Sequence, residues 1–180
     1  MCSPNAAVDF RALMERSIVL VHLGKGDIGR QDMQTLGTVL TGRILQAAMS
    51  RCDTPAAGRT PFSLYLDEFQ NFVGAEMVES FAEARKFGLH ITVAHQTLSQ
   101  LAGGASQSVL DALLGNVASR VMFRLGHRDA GVLEQQCLPW FDVNTLTTLP
   151  TGHAIAQLLL NGQPSPAFEL KIFHRTHQQH

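Results

Sequence analysis

The stretch Phe62–Phe72, "FSLYLDEFQNF", decides how the rest of the 180-residue chain is read. Its first five residues are apolar or aromatic with one serine, the composition of a short buried strand, and the run ends in two adjacent carboxylates, Asp67 and Glu68. A strand tip that presents two acids in succession can aim one at a divalent cation and the next at a reacting water, the pairing that nucleotide hydrolysis requires. In that arrangement Asp67 holds magnesium through water and Glu68 polarises the attacking water. Acids are also favoured in the first turn of a helix for dipole reasons, so the pair needs a second signal.

That signal comes from the next apolar run. "HITVAHQ" predicts a strand ending at Gln96, a neutral amide that can sense a terminal phosphate or hold the lytic water beside the acids. Between the two runs, Glu76–Phe87 predicts a helix stopped by Gly88, with Arg85 and Lys86 at its carboxyl end, where cations ordinarily complement the helix dipole.

Outward from this centre the pattern alternates. "SIVLVHL" (17–23) predicts a buried strand, and Met33, Leu36, Leu40, Ile44 and Ala47 recur at the spacing of one helix face. "SVLDALLGN" predicts a helix, "SRVMFRL" a fourth strand, and Asp129–Gln136 a helix ended by Pro139. "HAIAQLLL", "NGQPSP" and "AFELKIF" predict a hairpin, and "NTLTTLP" (144–150) a loop leading into it. The expected fold is therefore α/β, a mainly parallel sheet with flanking helices and a C-terminal antiparallel hairpin. Such sheets bind ligands at the carboxyl ends of their strands, where Asp67, Glu68 and Gln96 fall.

Composition narrows the function. The net charge is -1 and the isoelectric point about 6.7, so no broad cationic surface exists to bind nucleic acid without regard to sequence, and any such contact is local. The three cysteines, Cys2, Cys52 and Cys137, form no C-x-x-C pair, which suits a reducing compartment better than a disulfide framework or zinc site. The most apolar windows, 17–23 and 154–160, fall short of the roughly 20 residues that span a bilayer, and the N-terminus has no secretion-signal core. The loop Arg51–Pro61 joins a helix and a strand of one pattern and divides no domains.

Gly24, Gly26 and Gly29 spell G-x-G-x-x-G between a predicted strand and a helix, the geometry that lets backbone approach a pyrophosphate. A dinucleotide site also needs an acid about 20 positions on, at the end of the next strand. Here that strand ends at Asp67, 67 − 29 = 38 positions later. A mononucleotide loop, G-x-x-x-x-G-K-[ST], occurs nowhere in the 180 residues. The glycines suit a tight strand-to-helix turn better.

The ordered combination "LDEFQ", "EARKFG", "AHQTLSQL" and "LLGNVASRVMFRLGHRDAGVLEQ" resembles the carboxyl-terminal half of the RecA-like motor ATPase domain of type IV secretion coupling proteins, the hexameric ATPases that pump DNA in bacterial conjugation. The likeness runs from about Phe10 to Phe173. It implies a P-loop NTPase fold lacking the Walker A half, in which Asp67 and Glu68 are the Walker B pair and Gln96 the sensor glutamine. It implies ATP and Mg2+ as cofactors once the Walker A half is present. Arg85 falls in the helix whose arginine reaches a neighbouring subunit's nucleotide, with Lys86 as its alternate; Arg120 and Arg124 are second candidates for nucleotide or subunit-interface contacts. An arginine suits that role because its charge is permanent and its fork grips phosphate oxygens in pairs.

The expected domain is 1–173, part of the motor, with 174–180 a polar tail in which His174, His177 and His180 lack an acidic or cysteine partner for zinc. The family's membrane helices and inserted helical domain have no counterpart here, which implies a truncated or split product with little ATP hydrolysis of its own. Implied partners are single- or double-stranded DNA in the assembled ring, other coupling-protein subunits, and type IV secretion and relaxosome proteins, with no membrane insertion by this chain. The implied location is cytoplasmic, at the inner face of the bacterial inner membrane through partners. Two other functions fit the residues: a non-catalytic module docking on the secretion or conjugation machinery, and a dinucleotide-binding oxidoreductase using the three glycines. His22, His90 and His95 are expected to be structural, the phenylalanines to be core, and Asp129 to be a helix N-terminal acid.

Overall fold

The alternation in Phe62–Leu66 and Leu89–Val93 is what makes them strands: inward residues Phe62, Leu64 and Leu66 of β1 (Phe62–Leu66) and Leu89, Ile91 and Val93 of β2 (Leu89–Val93) alternate with exposed ones. The two pair in parallel, Phe62 with Leu89 through Leu66 with Val93. A computed structural model describes residues 8–101 and 107–173. The chain divides into two compact units, the first built from residues up to Gln96 with 100–113, the second from 97–99 and 114 onward.

In the first unit the crossover between β1 and β2 is α4 (Ala75–Ala84) followed by a 3-10 turn, Arg85–Phe87. Gly88 ends it in the left-handed region at φ 79°, a conformation only glycine adopts without steric cost. Helix α1 (Phe10–Arg16) is capped by Asp9, whose carboxylate accepts from the Arg11 and Ala12 N–H groups. The long α3 (Arg30–Met49) packs with α1 and α4, and Met14, Leu45, Ala48, Ala84 and Leu89 form the core between them, widened by Ile44, Phe62, Phe81 and Ile91. Arg51 is buried at its edge, donating to the carbonyls of Thr60 and Phe87 and so tying together the segments that lead into β1 and β2; burial pulls its pKa down. Helix α5 (Gln107–Asn116) starts in the first unit and runs into the second.

The second unit carries an antiparallel sheet in the order β3 (Arg120–Met122), β4 (His153–Gln157), β7 (Phe168–Lys171). Between β4 and β7 a small hairpin, β5 (Leu159–Leu160) and β6 (Gln163–Pro164), turns at Asn161 and Gly162, both in the left-handed region. Helix α6 (His127–Cys137) buries Ala130, Leu133 and Cys137, and α7 (Val143–Thr148) buries Leu146. Ala154, Ile155 and Ala156 of β4 are wholly inaccessible.

Three expectations give way. Among the described residues parallel pairing is confined to β1 and β2; the strand at 120–122 joins β4 antiparallel, because the fully buried β4 needs a neighbour on each side and β3 supplies one. Residues 17–23 are not a strand: they hydrogen-bond to no described strand, and Ile18 and Leu20 are 96% and 93% exposed. Residues 143–148 are a helix instead of a loop, since Asp142 accepts the Thr145 N–H at 2.8 Å and Leu146 anchors the inner face. The segment 174–180 lies outside the described residues.

Candidate functional site

A parallel strand pair delivers both carboxyl ends to one edge. Beyond Leu66 and Val93 the pairing continues in irregular backbone: the Ala94 N–H donates to the Leu66 carbonyl at 2.9 Å and the Phe69 N–H to the Ala94 carbonyl at 3.3 Å. These bonds bring the turn after β1 against the turn after β2. There the Gln96 Nε2 amide donates to Glu68 Oε1 at 3.0 Å.

Glu68 is held on its other side by Asn71, whose Nδ2 donates to the Glu68 carbonyl at 2.9 Å and to Oε2 at 3.3 Å. Asp67 is exposed, and its Oδ1 accepts the Glu68 N–H at 2.9 Å. The Glu68 backbone sits in the left-handed region, φ 47° and ψ 43°, a conformation that costs a residue with a long side chain about 1 kcal/mol or more. Backbone held this way aims consecutive side chains where an ordinary helix start does not.

The loop is seated on the core. Phe69 is fully buried, its ring edge-on to His95 at 5.8 Å between centroids. Phe72 lies over Gly37 of α3, where an added Cβ comes within 2.7 Å of the ring, and its carbonyl accepts from the Thr38 hydroxyl at 3.0 Å. Gly37 is glycine because the acid-bearing loop occupies the space a side chain needs. Asn71, Phe69 and Gly37 are site-supporting residues that the sequence reading passed over. Asn71 stands three residues beyond Glu68, the reach of a tight turn; Gly37 carries no local signal.

The other candidates lie elsewhere. Arg85 and Lys86 are exposed on the turn leading into β2, at its amino end; the Phe62 N–H to Gly88 carbonyl bond of 2.8 Å marks that end. Five strand residues, about 16 Å, separate this end from the acid tip. In the second unit Arg120 is half-buried, donating to the Val117 carbonyl at 3.1 Å, and burial lowers its pKa; Arg124 is exposed. Asp129 is a first-turn acid of α6, as expected, but it is buried and accepts the Leu98 N–H at 3.0 Å.

The glycine motif does not build a phosphate cradle of the dinucleotide kind, because no strand precedes it and Gly24–Gly29 instead folds into a one-turn helix, α2 (Lys25–Ile28), and a turn. Gly29, φ 80°, marks the start of α3, and Gly24 faces the Asp27 carboxylate. His22 is exposed beside Asp27 at 3.3 Å, while His95 packs on Phe69. The phenylalanines divide: Phe69 is core, but Phe123, Phe168 and Phe173 are 54%, 39% and 82% exposed, which corrects the expectation that all are core.

Among the described residues no cluster of three or more His, Cys, Asp or Glu is poised to hold a metal by itself, and no helix is long and apolar enough to cross a membrane. Asp67 and Glu68 nonetheless suit magnesium, which takes one or two carboxylates with the remaining ligands from water and substrate phosphates.

Comparison with known proteins agrees with this architecture. Residues 61–135, which include both acids, Arg85 and Gln96, match the family model described as the TraM recognition site of TraD and TraG. The unbound monoclinic form of the bacterial conjugative coupling protein TrwBdeltaN70 superposes with a TM-score of 0.64 at 16% identity, over 82% of this chain and 38% of that one. The plasmid coupling protein TrwB in complex with the non-hydrolysable ATP analogue ADPNP gives 0.64 at 16% identity, over 83% and 39%. Its complex with ADP and Mg2+ gives 0.59 at 17% identity, over 83% and 40%. The chain thus spans about two-fifths of the length of those proteins. A search of curated proteins by sequence gives no match. The resemblance to coupling proteins holds by sequence over 61–135 and by fold over four-fifths of the chain.

Proposed function

We propose that this chain supplies the carboxylate half of a nucleoside-triphosphate site in a coupling-protein motor for conjugative DNA transfer. The observation that carries the reading is the Gln96–Glu68 hydrogen bond at the paired ends of β1 and β2. It joins a candidate base to a candidate phosphate sensor at the sheet edge where α/β proteins bind ligands. The family match, the TrwB fold and that protein's complexes with ADPNP and with ADP and Mg2+ support it.

In this mechanism Asp67, exposed and adjacent, would hold the cation, and Glu68 orients the attacking water and takes up its proton. Magnesium, if held there, would supply charge neutralisation at the phosphate oxygens. Gln96 and Asn71 keep the Glu68 carboxylate in place, each occupying one oxygen edge. Approach of a terminal phosphate draws the Gln96 amide away from Glu68, so the base is released only when substrate is present. Arg85 lies at the opposite end of the strand pair and cannot serve the acids of its own chain; an exposed guanidinium there suits the nucleotide of a neighbouring subunit in a ring. Lys86 on the same turn is its alternate. No G-x-x-x-x-G-K-[ST] loop occurs in the 180 residues, so this reading requires a segment that supplies one. Arg120 and Arg124 are candidates for interface contacts, and the motor works at the cytoplasmic face of the membrane.

The test is ATP turnover after combining the chain with a segment carrying the phosphate-binding loop. Wild type should turn over ATP, and Glu68→Gln should lose at least about a hundredfold while retaining nucleotide binding. Equal turnover in both defeats the proposal. A second reading is favoured by the family's description as a TraM recognition site: a docking module for a relaxosome protein of that kind, with no nucleotide chemistry. Capture of such a partner that survives Asp67→Ala and Arg85→Ala together, with no nucleotide affinity under any condition, selects it.

A further inference from the structure

The turn that carries Arg85 is held from outside its own helix. The last carbonyls of α4 and its 3-10 turn lie beyond the reach of any further helical N–H, and two of them are taken by arginines of the loop between α3 and β1. Arg59 Nη1 donates to the Lys86 carbonyl at 2.6 Å, and Arg51 Nη1 to the Phe87 carbonyl at 3.3 Å. The Arg59 guanidinium also lies over the Phe87 ring, 5.2 Å from its centroid. Its Nε donates to the carbonyls of Thr54 and Arg51, at 2.8 and 3.2 Å, so one planar group ties the loop to the turn.

The cations at this end of the strand pair therefore divide. Arg51 is buried and Arg59 half-buried, both committed to backbone carbonyls, whereas Arg85 and Lys86 are exposed. An exposed arginine on a short turn samples many directions unless its backbone is anchored. A guanidinium that must meet phosphate oxygens in pairs tolerates little misplacement.

We propose that Arg59 is a positioning residue for Arg85: it fixes the backbone of the Arg85–Phe87 turn and so sets the direction in which Arg85 leaves the first unit. The role rests on the proposed reach of Arg85 to a neighbouring subunit's nucleotide, but it uses none of the residues at the acid tip. A cation acting through its field alone could be replaced by lysine. Arg59 acts through its fork, because Nε and Nη1 serve different segments.

The experiment has two arms. In the 180-residue chain alone, Arg59→Ala should speed amide exchange of residues 85–88 at least about tenfold, while residues 71–73 beside the acids keep wild-type rates. In the second arm, equimolar variants are combined with the segment carrying the phosphate-binding loop, and ATP turnover is read with the intact acids and the intact Arg85 on different chains. Glu68→Gln mixed with Arg59→Ala should match Glu68→Gln mixed with Arg85→Ala, because the first lacks Arg59 only on the chain that supplies the acids. Placing Arg59→Ala on the Glu68→Gln chain, mixed with Arg85→Ala, puts it behind the one working Arg85 and should lower turnover at least about tenfold. Arg59→Lys in that place should fail as alanine does, and circular dichroism should show every variant folded. Equal loss in both pairings reduces Arg59 to a structural role and overturns the proposal. Unchanged exchange at 85–88, or full turnover with lysine, overturns it as well. No turnover from wild type defeats the nucleotide reading and this role with it, whereas failure of the pairings beside an active wild type is failure of this proposal alone.

Discussion

The tip of the β1–β2 pair and the end of the β3–β4–β7 sheet collect polar side chains by opposite topologies. In the parallel pair both strands run the same way, so Asp67, Glu68 and Gln96 arrive from consecutive strand ends and meet through the loops that follow. In the antiparallel sheet the end of one strand lies beside the start of the next, so Arg124 leaving β3, His153 opening β4 and Lys171 closing β7 converge. The first end carries acids clamped by neutral donors; at the second, the exposed cations Arg124 and Lys171 share the sheet end with an exposed acid, Glu169, held by His153 at 2.6 Å. A parallel edge gathers residues that the order of strands announces, whereas an antiparallel edge gathers residues that only the register reveals.

Substitution should separate the two ends, and the largest effect is at the loop's anchor. Phe69→Ala removes a fully buried ring and should cost about 3–5 kcal/mol in urea unfolding. It should also free the loop carrying Glu68, seen as faster amide exchange of residues 67–72, while residues 153–157 keep their protection. Loss of protection in both would show that the two regions share one cooperative unit.

In the second unit, Asp129→Ala leaves the buried Leu98 N–H without its acceptor and should cost about 1–3 kcal/mol. Asp129→Asn, which keeps an acceptor oxygen, should recover most of that. If the alanine variant unfolds like wild type, the hydrogen bond contributes nothing and the segment 97–99 is held otherwise.

Glu68→Gly sharpens the contrast at the acid tip. It relieves the left-handed backbone but removes two side-chain hydrogen bonds, so the unfolding free energy should change by less than about 1 kcal/mol while any ATP turnover is abolished. A large destabilisation would mean that Glu68 is structural and its backbone strain incidental.

The smallest effect belongs to an exposed ion pair of the first unit. Arg11 donates to both oxygens of Asp53, at 2.9 and 2.6 Å, and with Thr54 holds the Asp53 carboxyl down at about 2. Because the folded-state value is depressed, the unfolded chain binds more protons in acid. The contribution is therefore complete above the unfolded carboxylate range and is lost as pH falls toward 2. Melting temperature should fall more steeply between about pH 4 and pH 2 in wild type than in Asp53→Asn, by a small margin because the pair is exposed and screened.

What the sequence disclosed follows the same division. Helix α3, the crossover helix and both parallel strands were legible because their signals are local: apolar spacing, alternation, and a glycine stop at Gly88. Asp67, Glu68 and Gln96 followed from strand ends alone. Asn71 and Gly37 were not legible, since one depends on a turn and the other on a ring brought from 35 residues away. The cap that makes a helix of 143–148 was hidden by three threonines, whose branching ordinarily argues against helix. Phe123 and Phe173 look like core in any composition count, and only their place at a sheet end exposes them.

The run Ile18–Val21 has a consequence for anyone handling the isolated chain. Four successive β-prone apolar residues stand in water, with no proline or charge among them to interrupt pairing. Such a ribbon invites sticky self-association that grows with concentration, so solubility will be governed by this short segment more than by either folded unit, and Val19→Lys is the simplest way to tame it.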